Sequence, residues 1–204
     1  MQADADWTRR EMQLAQDRFT DIFKTPALTH GAAGWQMSRH ALRLTTELGF
    51  LYCSDGRAQL PAATPHFPVF QAEIIDCPQI PTTLPTLDEL VGLDGCTEAN
   101  VHERLLAMTA AAPPRITAAQ EPMCVHVFTL HAELEGLKLG DTLARLLNGW
   151  REQGYQLISL GQMCDTLDLA KLPRHEMIRG EVSGRSGTLM VQGEEFLLPW
   201  KEAA

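Results

Sequence analysis

Short apolar runs typical of buried strands alternate with amphipathic segments along this chain, at intervals of roughly 25–45 residues. Such alternation is typical of βαβ units and predicts an α/β fold around a parallel sheet, with about five core strands. Near the C-terminal end, Glu176–Val182 and Gly187–Val191 are predicted to form a β-hairpin through Ser183–Ser186. Because no linker interrupts the pattern, residues 1–204 are interpreted as a single domain.

Individual elements are predicted from periodicity and from the residues that start and stop them. Residues 61–71 are rich in proline and are expected to form a loop, whereas Thr86 and Glu89 have the spacing of a capping box. An amphipathic helix is expected over residues 6–24, with Trp7, Met12, Ala15, Phe19, Ile22 and Phe23 on its apolar face. One further helix is predicted to end near Leu48, and others are predicted over Thr97–Ala112, Leu139–Gln153 and Ser159–Leu167. The other predicted strands are Ala27–Gly34, Phe50–Ser54, Ala72–Cys77, the segment after Pro122 and Tyr155–Ser159.

Composition excludes several classes of protein. The formal net charge of −9 and the lack of a basic tract argue against a nucleic-acid partner, since phosphate contacts need clustered Lys and Arg. No apolar stretch approaches ~18 residues, so no transmembrane segment is predicted. The five cysteines include no C-x-x-C pair, which predicts neither a zinc site nor a disulfide framework. Cys77 and Cys124 are expected in the core, in a reducing, cytoplasmic setting.

The segment Met123–Gly136 joins an apolar run to ionisable side chains at alternate positions, His131, Glu133 and Glu135. If the segment continues as a strand, its period of two places these side chains on one face. In α/β folds, polar residues just past the carboxyl end of a buried strand are where sites are usually built. The alternative is that a strand leaves the core here and simply meets water.

Two earlier predicted strands also end in residues suited to a site, Gly34 and Trp35 after the first and Asp55 and Arg57 after the second. If the strands are parallel, these residues and His131 share one rim. His131 suits general acid–base chemistry, Arg57 suits a phosphate or carboxylate, and Trp35 suits a sugar ring. The alternatives are a surface ion pair between Arg57 and Asp55 and a core position for Trp35.

Five stretches resemble a known family: AAGW at 32–35, YCSDGR at 52–57, QIPTTLPTLDELVG at 79–92, TLHAELEG at 129–136 and IRGEVSGRSG at 178–187. Together, in this order and over nearly the whole chain, they resemble the polysaccharide deacetylase (NodB-like) superfamily. Within it the chain is most similar to the 4-deoxy-4-formamido-L-arabinose-phosphoundecaprenol deformylases of lipid A modification. The resemblance implies a distorted (β/α) barrel and metal-dependent hydrolysis of an N-acyl group, formyl or acetyl, on an amino sugar.

The resemblance also implies roles for individual residues. The family's late histidine, which protonates the leaving amine, matches His131. Gly34 and Trp35 match the motif that shapes the substrate groove, and Asp55 and Arg57 match the polar motif after the following strand. Glu133, close to His131 in sequence, is a further candidate for substrate binding.

The chain departs from the family because it lacks the early D-x-D and the H-x-x-x-H motifs, which supply the base and the metal ligands. Asp4-Ala5-Asp6 has the letters of D-x-D, but it precedes a predicted helix and is interpreted as an N-cap region. We therefore expect the family's first strands to lie outside this chain and the barrel to be incomplete. Its exposed sheet edge would favour an oligomer, and the ligands for the zinc-like divalent metal of the family would be missing.

Three functions are compatible with these observations. The first is an amide hydrolase acting on an amino sugar that is linked to undecaprenyl phosphate, which implies a cytoplasmic protein peripheral to the inner membrane. The second is a catalytically inactive remnant that binds a sugar phosphate or another protein. The third is a metal hydrolase whose site is rebuilt from His131, Glu133, Asp55 and His30.

Overall fold

The computed structural model describes residues 4–58, 63–110, 115–116 and 123–197. These residues form a mixed α/β fold with open sheets. The helices are α1 (Ala5–Phe23), α2 (Arg39–Glu47), α3 (Leu87–Leu90), α4 (Val101–Ala110), α5 (Gly140–Glu152) and α6 (Leu160–Cys164). The strands are β1 (Thr29–His30), β2 (Tyr52–Cys53), β3 (Phe67–Phe70), β4 (Glu73–Ile74), β5 (Arg115–Ile116), β6 (Met123–Cys124), β7 (Arg174–Gly180) and β8 (Leu189–Glu195).

The sheets combine parallel and antiparallel pairs. β1 pairs with β2 in parallel, and β5 pairs with β6 antiparallel. The largest sheet has the order β4-β3-β7-β8, in which only β3 and β7 are parallel. The prediction of a parallel sheet is therefore only partly right, whereas the predicted C-terminal hairpin is confirmed as β7 and β8.

Backbone hydrogen bonds outside these strands extend the parallel pairing of β1 and β2. Cys53 and Arg57 form parallel bridges with Gln79 and Thr82. Further along the chain, the Val127 carbonyl accepts hydrogen bonds from the N–H groups of Thr83 and Leu84 at 3.1 and 3.0 Å. Segments around residues 29–30, 52–57, 79–84 and 127 therefore lie side by side in the order of the sequence, as βαβ units require.

Arg57 also joins this layer to the largest sheet. Its backbone N–H donates to the Met190 carbonyl of β8 at 2.9 Å, and its carbonyl accepts from the Gln192 N–H at 2.8 Å. The segment that follows β2 and the first half of β8 are thus fixed next to each other. This contact brings residues from the two ends of the sequence together at the candidate site described below.

Several local predictions are confirmed. α2 and α5 occupy the predicted segments, and Thr86 and Glu89 form the predicted capping box at the start of α3. Ser159 caps α6 in the same way through Gln162. Each of these signals depends on residues a few positions apart, which is why the sequence alone reveals them.

The loop predicted over residues 61–71 is wrong because β3 lies within it. The prediction rested on prolines, which cannot donate to a strand ladder. Pro68 is nevertheless tolerated, since the adjoining strand β4 ends at Ile74 and the next residue, Ile75, only donates its N–H to the Pro68 carbonyl at 2.9 Å. No donor is required of Pro68 at that position.

Tyr155–Ser159, predicted as a strand, belongs to no strand of the described chain, although its neighbour α6 is present. The apolar run was the only signal for this strand, and such a run does not show whether a partner strand pairs with it.

The predicted apolar face of α1 is largely exposed. Trp7, Phe19 and Ile22 are 47, 39 and 70 % exposed. α1 instead packs on α2 through buried Thr8 and half-buried Met12 and Gln16, whose amide donates to the Leu48 carbonyl at 3.3 Å. Helical periodicity identifies an amphipathic helix but not which side of it is covered.

The core consists of separate apolar clusters. One lies between α2, β2, β7 and β8 and includes Leu42, Cys53, Cys77 and Met190, so the prediction that Cys77 is a core residue is confirmed. Another, between α4 and α5, includes Leu105, Leu146 and Trp150. The side chain of Cys124 lies outside the described residues. None of the helices described is long and apolar enough to cross a membrane.

Candidate functional site

The chain turns sharply after β1 at Gly34 and Trp35, whose φ angles are +59° and +54°. Glycine adopts this left-handed conformation freely, whereas tryptophan needs support from its surroundings. That support comes from burial, because Trp35 is 4 % exposed and packs against Leu189 and Val191 of β8. Trp35 therefore lies in the core, as the alternative interpretation of this residue has it, and its role in substrate binding stays a prediction.

Arg57 lies over Trp35 and pairs with Glu89. Its guanidinium carbon is 4.6 Å from the centroid of the Trp35 ring, and Nη1 donates to Glu89 Oε1 at 2.6 Å. Nη2 donates to the Leu84 carbonyl at 3.2 Å. Arg57 and Glu89 are 5 and 1 % exposed, so this is a buried ion pair. The alternative of a surface pair between Arg57 and Asp55 is thus wrong, and Arg57 is already engaged within the protein.

Arg185, in the turn between β7 and β8, makes a second ion pair with the same carboxylate. Its Nε donates to Glu89 Oε1 at 2.8 Å, and its Nη2 is 3.4 Å from Asp88 Oδ2. Its guanidinium lies 5.0 Å from the Trp35 ring centroid. The side chain of Arg185 is 24 % exposed, against 6 % for that of Arg57. Of the two arginines, Arg185 is therefore the more accessible to an anion from solvent.

His131 lies beside the carboxylate of Asp88. Its Nδ1 is 3.8 Å from Asp88 Oδ1 and 3.9 Å from Glu135 Oε2, and its backbone N–H donates to Glu135 Oε2 at 2.7 Å. The His131 side chain is 33 % exposed, whereas that of Glu135 is 1 % exposed. An accessible imidazole is thus held between an accessible and a buried carboxylate.

The predicted strand does not continue through this segment, so the expectation that His131, Glu133 and Glu135 share one face is wrong. β6 ends at Cys124, and beyond His131 the backbone folds into a π-helical turn, Leu134–Lys138. The N–H groups of Leu134 and Glu135 both donate to the His131 carbonyl. This turn brings Glu135 back to His131 and leaves Glu133 exposed.

Together these residues form what we call the Glu89 cluster: Trp35, Arg57, Asp88, Glu89, Arg185 and His131. It joins His131, Trp35 and Arg57, which lie on three predicted strand ends, into one network. Asp88, Glu89 and Arg185 were not singled out as site residues, although they lie within two of the stretches that resemble the family. For these three residues, the only structural feature that the sequence predicted was the capping box that includes Glu89.

Asp55 belongs to a second group, next to the first. Its side chain is fully buried; Oδ1 accepts from the Ala32 N–H at 2.9 Å and lies 2.7 Å from His30 Nδ1. Gln79 Nε2 donates to the other oxygen at 3.0 Å. Asp55 thus ties together the segments after β1 and β2 and the residues that pair with β2.

This second group has the donor atoms for a divalent metal ion. Ligand atoms of His30, Cys53 and Asp55 all lie within 4.8 Å of one another. Nitrogen, sulfur and oxygen donors are those that zinc takes in proteins, and three protein ligands leave one position open. Among the described residues, this group therefore has a donor set that fits the metal. Sequence analysis had named His30 and Asp55 for a rebuilt metal site but missed Cys53, which forms no C-x-x-C motif.

A cavity of about 800 Å³ reaches the residue before His131. Its lining is mainly apolar and includes Leu130, Phe128 and Trp150. His126 also lines it, and burial lowers the pKa of this histidine. Cavities of this size accommodate ligands as large as a sugar derivative.

The chain is similar to two curated relatives. It is 28 % identical over 167 residues to the probable 4-deoxy-4-formamido-L-arabinose-phosphoundecaprenol deformylase ArnD of Shewanella sediminis, covering 82 % of this chain and 48 % of that protein. It is 24 % identical over 184 residues to the protein of the same name from Wigglesworthia glossinidia brevipalpis, covering 90 % of this chain and 59 % of that protein. The chain thus spans about half the length of the relatives it matches.

No family model matches the chain. The two relatives nevertheless agree with the resemblance found in the sequence, because both carry the name of the same deformylase. The matched regions also include most of this chain, so the similarity is not confined to one motif. The chain is therefore similar, over most of its length, to the ArnD deformylases.

Proposed function

We propose that this protein contributes to the hydrolysis of an N-formyl group from an amino sugar that is linked to a lipid phosphate. The observation that carries the proposal is the position of His131, a half-exposed imidazole between two carboxylates and next to the cavity. The names of the two relatives supply the substrate class. A distorted (β/α) barrel, acting at the cytoplasmic face of the inner membrane, is part of the proposal.

In this proposal His131 gives a proton to the leaving amine, for which an imidazole is well suited near neutral pH. Asp88 and Glu135 flank the ring at 3.8 and 3.9 Å from Nδ1, and Glu135 fixes the His131 backbone through a 2.7 Å hydrogen bond from its N–H. The buried pair of Arg57 and Glu89 has a positioning role, since it holds Asp88 and its neighbours in α3.

Arg185 takes the role of phosphate ligand that sequence analysis gave to Arg57. Its guanidinium is partly exposed to solvent. It lies close to His131, because the Asp88 carboxylate contacts both residues. A guanidinium offers the planar donor fork that fits phosphate. Glu133 is exposed and lies outside the Glu89 cluster, so a substrate contact from Glu133 would need the substrate to extend across the surface.

The residues that would hold a divalent metal are His30, Cys53 and Asp55. A metal bound there supplies Lewis acidity, which polarises an amide carbonyl. The buried Gln79 and the Ala32 N–H fix the Asp55 carboxylate, so the protein prepares this ligand before a metal arrives.

The experiment that tests the function measures formate release from an N-formyl amino-sugar phosphate by the purified chain with added zinc. For His131→Ala we predict turnover lower by a factor on the order of 10²–10⁴, the usual contribution of a general acid. His40→Ala, on α2, is the matched control and should retain the wild-type rate. A wild-type chain without formate release, or a His131→Ala variant at full rate, would contradict the proposal.

For Arg185→Lys we predict a larger loss of affinity, relative to wild type, for phosphate-bearing sugars than for phosphate-free sugars. The planar donor fork of arginine is lost in this variant, while the charge remains. The effect should be on the order of tenfold in Kd or KM, which corresponds to about 1.4 kcal/mol. Isothermal titration with each pair of sugars measures it. Arg179→Lys, on the same hairpin, is the control, and equal losses for both classes of sugar would rule out a phosphate contact.

A second candidate function is a binding module without catalysis. It is favoured by the engagement of Arg57 and Trp35 in a buried network. Binding of the sugar phosphate without formate release, with zinc present, is the result expected for this function.

A further inference from the structure

The residues His30, Cys53 and Asp55 are brought together by backbone pairing. His30 is the last residue of β1, Cys53 is the last of β2, and the parallel register places them directly opposite each other. Asp55 follows two residues later, and its carboxylate reaches back to His30. The donor atoms are therefore close because of main-chain geometry rather than a chance meeting of flexible side chains.

The surroundings of these atoms provide a way in for an ion. Cys53 and the Asp55 side chain are fully buried, whereas the His30 side chain is 24 % exposed. The His30 ring also stacks on Phe50, with 5.6 Å between the ring centroids. An ion arriving from solvent would meet the imidazole first and the Cys53 thiol and the Asp55 carboxylate behind it. The contact with Cys77 and burial raise the pKa of this thiol, so the ion would displace its proton.

Ligand separations in a tetrahedral zinc site are about 3.3–3.8 Å, as bond lengths of about 2.0–2.3 Å require. His30 Nδ1 and Asp55 Oδ1 are 2.7 Å apart, so the ion would replace their hydrogen bond and move the imidazole outward by less than about 1 Å. His30 is the ligand that can move, since it is partly exposed. Asp55 stays in place through its bonds from Ala32 and Gln79.

The neighbouring thiol of Cys77 serves as a control for Cys53 within the same protein. Its sulfur is 3.5 Å from that of Cys53, and it is equally buried, yet it is not one of the three mutually close ligand atoms. A thiolate in the ligand set selects borderline and soft ions such as Zn²⁺ and Co²⁺ over the oxygen-seeking Mg²⁺ and Ca²⁺.

We propose that His30, Cys53 and Asp55 form a thiolate-containing site for one zinc-type divalent ion. This deepens the proposed function, since it names the ligands and the class of metal. Metal binding can be measured without turnover, so the two proposals fail separately. Binding at Cys53 without formate release would contradict the hydrolase alone, and formate release without binding at Cys53 would contradict the metal site alone.

The test is titration of the metal-free chain with Co²⁺, followed by displacement with Zn²⁺. We expect one equivalent to bind with a thiolate-to-cobalt charge-transfer band and tetrahedral d–d absorption, both of which Zn²⁺ removes and excess Mg²⁺ does not. Cys53→Ser should abolish the charge-transfer band, while Cys77→Ser, matched for burial, should keep it.

His30→Gln and Asp55→Asn should each lower Co²⁺ affinity by a factor on the order of 100 or more, since even residues that only support a ligand cost 10- to 100-fold. His30 is partly exposed, so its variant tests the site without disturbing the core. The proposal is overturned by a wild-type chain with no charge-transfer band, by a band that Cys77→Ser removes and Cys53→Ser keeps, or by unchanged affinity in His30→Gln.

Discussion

Glu89 is the residue on which the candidate site depends most. One carboxylate oxygen receives both Arg57 and Arg185, and the other accepts the Thr86 N–H at 3.1 Å as part of the capping box. The sequence predicts only the capping box, because its partner is three positions away. The arginines are 32 and 96 residues away, a distance over which no single-sequence pattern operates.

For Glu89→Gln we predict a free energy of unfolding lower by about 3–5 kcal/mol, because a buried guanidinium is left without its counter-charge. Urea denaturation measures the loss. Glu98→Gln is the control, since Glu98 pairs with Lys138 on the surface and such pairs contribute about 0–1 kcal/mol. Similar losses in the two variants would mean that the buried pair has no special importance.

At the scale of elements, sequence analysis found the helices better than the strands. α5 follows from the apolar periodicity within the helix, and α6 follows from its capping residue Ser159, directly before it. Strand ends depend on partners elsewhere in the chain, so β3 was missed and the strand predicted after Pro122 ends at Cys124. The apolar run before His131 predicted a strand, whereas the backbone after His131 forms a turn in which the N–H groups of Leu134 and Glu135 donate to the His131 carbonyl.

The turn between β7 and β8 needs a glycine at position 184. Its φ is +84°, and a Cβ there would lie 2.2 Å from the Glu89 carbonyl oxygen. This close approach of two backbones is what brings Arg185 to Glu89 and Asp88. The turn of the last strand pair thereby completes a site whose other members lie between residues 35 and 131.

For Gly184→Ala we predict a larger loss of stability than for Gly187→Ala in the same turn. Both glycines have positive φ, but a Cβ at Gly187 meets nothing within 4 Å. Backbone strain of about 1 kcal/mol is common to both variants, and the clash adds about 1–3 kcal/mol to the first. Urea denaturation of the two variants measures the difference, and equal stabilities would show that the contact with Glu89 is not tight.

On the scale of the whole molecule, order along the chain predicts which segments lie side by side but not the direction of every strand. The neighbouring segments around residues 29–30, 52–57, 79–84 and 127 follow the βαβ pattern. The pairing in the largest sheet does not follow this pattern. β4 and β8 are antiparallel to their neighbours, and the parallel pair of β3 and β7 joins residues over 100 positions apart. Similarity to the ArnD deformylases supplies the missing context for function, while the residues that make the site come from the contacts themselves.

The contact between β3 and β7 also makes the fold sensitive to acid. His66, directly before β3, is fully buried; its Nδ1 donates to the Thr64 carbonyl, and its ring lies 5.2 Å from that of His175 on β7. Burial, more than the nearby His175, lowers the pKa of His66 to about 3. The unfolded chain binds a proton at this histidine below a pH of about 6.5, whereas the native chain does so only near pH 3.

The unfolded state therefore binds more protons in this range, and the free energy of unfolding falls as the pH drops, by about 1.4 kcal/mol per unit. For His66→Gln we predict a shallower decline, so that the difference in free energy of unfolding between wild type and variant narrows by about 2.5 kcal/mol from pH 7 to pH 4.5. Urea denaturation at both pH values measures this change, and carboxylates common to both proteins cancel in the comparison. His40→Gln, on α2, should keep the wild-type slope. Parallel pH profiles for wild type and His66→Gln would show that folding does not lower the pKa of His66.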